Sequence, residues 1–281
     1  MRAVFLIPLF GLPLAADPPL PEERHARQAS AALRQAERVM HAWMKRTDPV
    51  TGLLPRTGRD PNWVVRDSAA DLYPFLAICA RYTAPALWEQ DMPRLLRQEY
   101  LLTRRLGNLS DDLQPGGKGF IHATPDREAI LFGSSEYAKD GLLPLVELLG
   151  DTPWLHRLTG IAADILREAP YDMPRGRLPA RSSEVNGNML QVRSRLAWMT
   201  GREDFLNAAL RLADFYLLDT LPSTGFIPAD QWDFSARRAS RPVFVLADHG
   251  SEIVGGLSEA VLLAGEKRPE KARLYRTPSC G

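Results

Sequence analysis

Residues 133–145 read GSSEYAKDGLLPL and place two acids, Glu136 and Asp140, four residues apart behind a pair of serines, Ser134 and Ser135. At helical spacing such residues lie one above the other on a single face. Ser is a preferred N-cap, and a carboxylate in the first turn is favoured by the helix dipole. The stretch therefore predicts a helix over 135–149 headed by Ser134 or Ser135. Taken alone, this is an ordinary capped surface helix.

The pattern recurs. Polar residues at i and i+4 also head the segments RDSAADLYPFL (Asp67, Asp71), SSEVNGNML (Glu184, Asn188) and DHGSEIVGGL (Asp248, Glu252). Each head follows a loop with a glycine and apolar residues: TGLLPR at 51–56, KGFIHA at 118–123, RGRLPA at 175–180 and TGFIPA at 224–229. Apolar positions at 3.6-residue spacing mark further helices. Examples are Ala29, Leu33, Ala36, Met40 and Trp43 over 24–46, and Trp154, Leu158, Ile161, Ala162 and Ile165 over 152–168. Helices are expected at 67–83, 92–106, 184–200, 202–218 and 249–265 as well, with no series of alternating strands. The fold class is all-α, and the self-similar unit of helix, glycine loop and polar-headed helix marks repeated helical hairpins. Closed into a ring, the hairpins would put the polar-headed helices inside and gather their N-termini at one end of a central cavity.

The chain has 281 residues, of which 45% are hydrophobic and 25% charged, enough for one large globular domain. Lys+Arg 35 against Asp+Glu 34 leaves a net charge of +1, so no basic field points to nucleic acid as a partner. The first sixteen residues, MRAVFLIPLFGLPLAA, read as a secretory signal. Arg2 precedes an apolar run from Ala3 to Leu14 that is too short to span a bilayer and carries Pro8 and Pro13. The expectation is a secreted or periplasmic protein, a single domain over 17–281, and no stable membrane span in the mature chain. Cys79 lies in an apolar helical run and Cys280 near the end, a core thiol and a tail thiol. HExxH, CxxC, GxGxxG and P-loop patterns are absent, so neither a metal nor a cofactor is expected.

The four loop-plus-helix units, spanning roughly residues 24–266, resemble the six-hairpin glycosidase superfamily, the (α/α) toroids. The resemblance implies a funnel at the inner-helix N-termini that binds carbohydrate and is lined by acidic and aromatic residues. It is architectural and carries no family catalytic motif onto a numbered residue. A full toroid has twelve helices, whereas this sequence has about eight or nine. Its last stretch, GEKRPEKARLYRTPSCG at 265–281, lacks hairpin periodicity, so the expected toroid includes a ring left incomplete at its C-terminus.

Glycosidic cleavage uses one carboxylic acid to protonate the leaving oxygen and a second carboxylate to activate water or attack the sugar. The available acids are Asp67, Asp71, Glu136, Asp140, Glu184, Asp248 and Glu252. Asp71 and Asp140 are preferred, because each lies one turn inside its predicted helix and precedes the same apolar-Pro continuation. Trp63, Tyr73, Tyr137, Trp232 and Phe234 are candidates for stacking on sugar faces. Arg66 and Arg181 are candidates to clamp a uronate carboxylate, and Asn188, His249 and the weaker His122 complete the substrate-contacting set. The leading expectation is an exported glycoside hydrolase. The alternatives are a non-catalytic glycan-binding or scaffold toroid, favoured by the short C-terminus, and a sugar epimerase or isomerase, which would want a histidine pair.

Overall fold

The computed structural model describes residues 20–150, 153–246 and 248–276. The expected leader over 1–16, Cys280 and the side chains of Asp248 and His249 lie outside the described residues.

Helix dominates. In chain order the described residues form α1 (Pro21–Met44), α2 (π-helical Val65–Leu72 continuing as Tyr73–Thr83) and α3 (Leu87–Asp91, then Met92–Thr103). Next come α4 (Arg127–Glu136, Tyr137–Leu142 and Leu143–Leu149), α5 (Pro153–Glu168) and α6 (Ser183–Thr200). The last are α7 (Glu203–Asp214, Phe215–Thr220 and Leu221–Ser223), α8 (Glu252–Lys267) and α9 (Pro269–Arg276). Three antiparallel two-stranded hairpins sit in the loops: β1 (Arg104–Leu106) with β2 (Leu109–Ser110), β3 (Tyr171–Met173) with β4 (Gly176–Leu178), and β5 (Gln231–Asp233) with β6 (Arg238–Arg241). Strands of two to four residues are too short to leave an alternating signature.

The even-numbered helices form a row. α2 packs on α4, α4 on α6, and α6 on α8, while α1, α5, α7 and α9 cover their flanks. Their contacts rise in step along both partners. Gly133 of α4 adjoins Val65 of α2, and Gly141 adjoins Ala69. Asn188 of α6 reaches Ser135 of α4, and Arg195 reaches Glu147. Gly187 adjoins Glu252 of α8, and Arg195 bonds Glu259. The four helices therefore run parallel, with their N-termini toward the same end. The glycine of every repeated loop, Gly52, Gly119, Gly176 and Gly225, has positive φ, a conformation that side chains with a Cβ avoid.

One proline pattern shapes the helices. The π-helical turns end at Leu72, Asp91, Leu142 and Thr220, each two residues before a proline: Pro74, Pro93, Pro144 and Pro222. A mid-helix proline cannot donate a hydrogen bond and its ring crowds the carbonyl one turn back. A π turn opens the ladder by one residue and lets the helix continue.

Two expectations are corrected. The helix predicted over 135–149 begins eight residues earlier, at Arg127, where the Asp126 carboxylate accepts the Ala129 N–H at 3.1 Å. Glu136 and Asp140 thus lie in the body of a long helix, not at its head. In α1 the apolar stripe is covered only near its end: Met40 is buried, but Leu33 and Ala36 are exposed.

The core holds a buried ion pair. Arg157 of α5 meets Glu99 of α3 through two hydrogen bonds, at 2.9 and 2.6 Å. Ser110 Oγ and Thr103 Oγ1 donate to the same carboxylate, at 2.7 and 3.3 Å. Removing one partner of a buried pair strands the other charge at a cost of about 3–5 kcal/mol. Arg157→Met is expected to lower stability by about that amount, and Glu99→Gln paired with Arg157→Met to recover part of it. Urea titrations of the single and double variants check this, and a double variant no more stable than Arg157→Met would contradict it.

The α6–α8 contact makes a second prediction. A Cβ on Gly256 would stand 2.6 Å from the Gly187 carbonyl oxygen and 2.6 Å from Leu190 Cβ. Gly256→Ala must push the two helices apart and is expected to cost about 1–3 kcal/mol. The exposed Gly265, in the same helix with nothing within 4 Å of its Cβ position, is the control, and Gly265→Ala should leave the melting temperature unchanged or raise it.

Candidate functional site

The N-terminal ends of α2 and α4 border a cavity of about 410 Å³. Val65 and Arg66 from α2, Ser110 of β2 with Asp111 and Asp112 after it, and His122 in the glycine loop with Thr124 just beyond it contribute to its walls. Asp126 and the first turns of α4, through Phe132 and Gly133, close it.

Backbone pairing builds this wall. Leu113 bridges Trp63 on one side and Phe120 on the other, with Trp63 and Leu113 exchanging N–H···O bonds at 2.9 Å. Gly116, Gly117 and Gly119 all have positive φ. They turn the chain back so that the Ile121 N–H reaches the Asp112 carbonyl at 2.9 Å. Arg105 then pins the returning loop, since its guanidinium donates to Asp111 Oδ2 at 2.8 Å and to the carbonyls of His122 and Ala123 at 2.7 and 2.5 Å.

The two adjacent carboxylates have different surroundings. Asp111 accepts from Arg105 and, through Oδ1, from the Asp112 N–H at 2.8 Å. Among the described residues no such cation is bonded to Asp112. Its Oδ1 accepts the Val65 N–H at 2.9 Å, capping α2. Burial raises the Asp112 carboxyl above the ordinary value and the Asp111 charge adds to the rise. The Val65 N–H, Arg66 and His122 oppose it without cancelling it. Arg66 lies over the Phe132 ring, 5.1 Å from its centroid. The arrangement offers a carboxyl that holds its proton more tightly than usual beside a carboxylate fixed by arginine, with an imidazole, a second guanidinium and two hydroxyls in the same wall.

Of the residues expected from sequence, Arg66 and the weaker candidate His122 line this cavity. Asp67 is paired with Arg56 of the first glycine loop at 3.0 Å. Asp71 is exposed, and Glu184 is half-buried one residue inside α6, whose cap is Ser182. Asp140 and Glu252 do come together, each 2.8 Å from Lys139 Nζ, and Gln191 donates to Glu252 at 2.6 Å. Both acids raise the Lys139 ammonium above its ordinary value against the opposing, larger effect of burial taken singly. Glu136 is buried, and Asn188, fully buried, donates to Ser135 Oγ at 3.4 Å.

The aromatic expectation is corrected. Trp63, Tyr73, Tyr137 and Trp232 are 5%, 5%, 1% and 5% exposed, so their faces are packed against protein and closed to a sugar. Tyr73 Oη donates to the Met92 carbonyl and accepts from Trp154 Nε1, both at 2.8 Å. Phe234 stacks on Tyr171, and Arg181 lies over that same Tyr171 ring. Asp111 and Asp112 were missed by the sequence reading because they head no helix. The doublet ahead of a glycine-rich turn, SDDLQPGGKGF at 110–120, was the available signal.

Among the described residues no group of three or more His, Cys, Asp or Glu side chains could hold a metal ion, and no helix is long and apolar enough to cross a membrane. Comparison with protein-family models, curated proteins and solved structures finds no match to this chain.

The raised carboxyl gives a pH prediction. Asp112 binds its proton more tightly folded than unfolded, so its contribution is fully present below its unfolded value and is lost as pH rises through its folded value. Asp112→Asn, whose amide oxygen can still accept from Val65, removes that loss. The variant's melting temperature is expected to fall less than the parent's, or to rise more, between about pH 4 and neutrality. Parallel curves across that window would contradict the raised carboxyl.

Proposed function

We propose that this chain is a glycan-active enzyme, a glycoside hydrolase whose four parallel inner helices belong to an (α/α) toroid, closed or left open at its C-terminus. The observation that carries this reading is the Asp111–Asp112 pair in unlike surroundings, in a cavity at the N-terminal ends of α2 and α4. A cavity of this size is within the range of small-ligand sites. In the proposed chemistry Asp112, protonated, donates to the leaving glycosidic oxygen. Asp111, hydrogen-bonded to Arg105, stabilises positive charge developing on the sugar ring or takes a proton from the attacking water. Arg66 and Phe132 bind and orient the sugar. Export, expected from residues 1–16, belongs to the same proposal.

A second reading, a glycan-binding scaffold without chemistry, is favoured by one set of observations. Asp67, Asp140 and Glu252 each bond a cation of this chain, which is how acids serve when they hold helices together.

An assay on a panel of oligosaccharides, with thermal melts of each variant, tests the reading. Asp112→Asn and Asp111→Asn are expected to lose about 10²–10⁴-fold in turnover while remaining folded. Asp71→Asn and Asp140→Asn are expected to retain turnover. The reverse pattern would move the site to the two acids first preferred from sequence. Glycan binding without cleavage, weakened by Arg66→Ala, would establish the scaffold.

A further inference from the structure

A second cleft lies away from the carboxylate pair. Its volume is about 460 Å³, and it opens between the β3–β4 turn, the π turn of α7 and the β5–β6 hairpin. An aromatic cluster fixes its floor. Phe215 meets Trp232 edge-on at 5.8 Å and Phe234 at 5.9 Å, and Phe234 stacks on Tyr171 at 4.4 Å. Two hairpins and a helix are thus locked to one another by rings, and the cleft is preformed, as small-ligand sites usually are.

The charges of its wall do not balance. Asp219 engages Arg175 through Nε and Nη2 at 2.8 and 2.9 Å, which leaves Nη1 without a hydrogen bond among the described residues. Arg237 lines the same cleft and has neither an ion pair nor a hydrogen bond among the described residues. It also occupies a left-handed backbone conformation, φ 50°, at the hairpin turn, where Gly, Asn or Asp would be the ordinary choice. The indole N–H of Trp232, buried in the wall, has no acceptor among the described residues. The cleft therefore combines one uncompensated guanidinium, a second with a spare nitrogen, and an apolar side formed by Met173 and Pro174 above the buried Phe215 and Trp232.

We propose that this cleft is a ligand site for a small carboxylate with an apolar face, bound by Arg237 and Arg175 through its carboxylate and by Met173 and Pro174 through its body. A guanidinium matches a carboxylate in shape and charge, and the apolar side distinguishes such a ligand from a bare oxyanion. The proposal stands independently of the hydrolase reading, because none of its residues borders the Asp112 cavity.

Titration calorimetry with benzoate, glucuronate, inorganic phosphate and glucose tests it. At least one carboxylate is expected to bind more tightly than phosphate, with glucose silent. Arg237→Ala is expected to weaken that binding about ten-fold or more, the value of a charge-assisted contact. Arg237→Lys, which keeps the charge, should recover part of it, and Arg66→Ala should leave benzoate binding unchanged. Thermal melts confirm that each variant is folded. Absence of binding by both carboxylates, phosphate binding as tightly as they do, indifference to Arg237→Ala in a folded variant, or loss of benzoate binding on Arg66→Ala would each overturn the proposal.

Discussion

The Glu99–Arg157 pair is the constraint on which the site depends. Both side chains are more than nine-tenths buried, and a desolvated charge is tolerated only when its partner and the remaining donors and acceptors are all supplied. Here they come from several directions. Besides the bonds to Glu99, Arg157 donates to the Asn108 carbonyl at 2.5 Å and to Ser110 Oγ at 2.8 Å. Tyr137 Oη of α4 lies 3.4 Å from Glu99 Oε2. Three helices and the β1–β2 hairpin are thus held to one point. Ser110 is the residue immediately before Asp111 and Asp112, so the core pair also sets where the two cavity carboxylates stand.

A parallel row of helices requires close approach at some positions and interrupted ladders at others. Gly187 and Gly256 allow α6 and α8 to meet backbone to backbone. The four prolines inside helices are absorbed by π turns, and these turns carry several of the residues that matter: Asp67 and Asp71 in α2, Tyr137 and Asp140 in α4, Phe215 and Asp219 in α7. A π turn shifts the side chains that follow it relative to those before it. The i, i+4 stacking assumed for Asp67 with Asp71 and for Glu136 with Asp140 is therefore altered where the π turns run.

The fate of the acids follows from what each one meets. On the helix row Asp67 bonds Arg56, and Asp140 and Glu252 bond Lys139, which ties these carboxylates into ion pairs between elements. Asp112 meets instead a backbone N–H, partial burial and a neighbouring carboxylate, and its proton affinity rises. Proton transfer near neutrality needs a group of the second kind. On that physical ground the cavity doublet displaces the helix-borne acids as the centre of the proposed chemistry.

The all-α class and the glycine loops were legible in the sequence by itself, because each is a local property. Apolar spacing at 3.6 residues marks a helix within a few turns, and a glycine needed for positive φ stands at the bend it makes. Arg66 was legible as the residue flanking the Asp67 head, for the same local reason. Only the tertiary structure decided which acids acquire cations, which rings are exposed and where the cavity lies. Those outcomes rest on contacts between residues far apart in the chain, such as Val65 with Asp112, 47 positions apart, and Glu99 with Arg157, 58 apart. No local pattern encodes them, because the burial and the partners that set a carboxyl's proton affinity exist only once the distant segments have packed together.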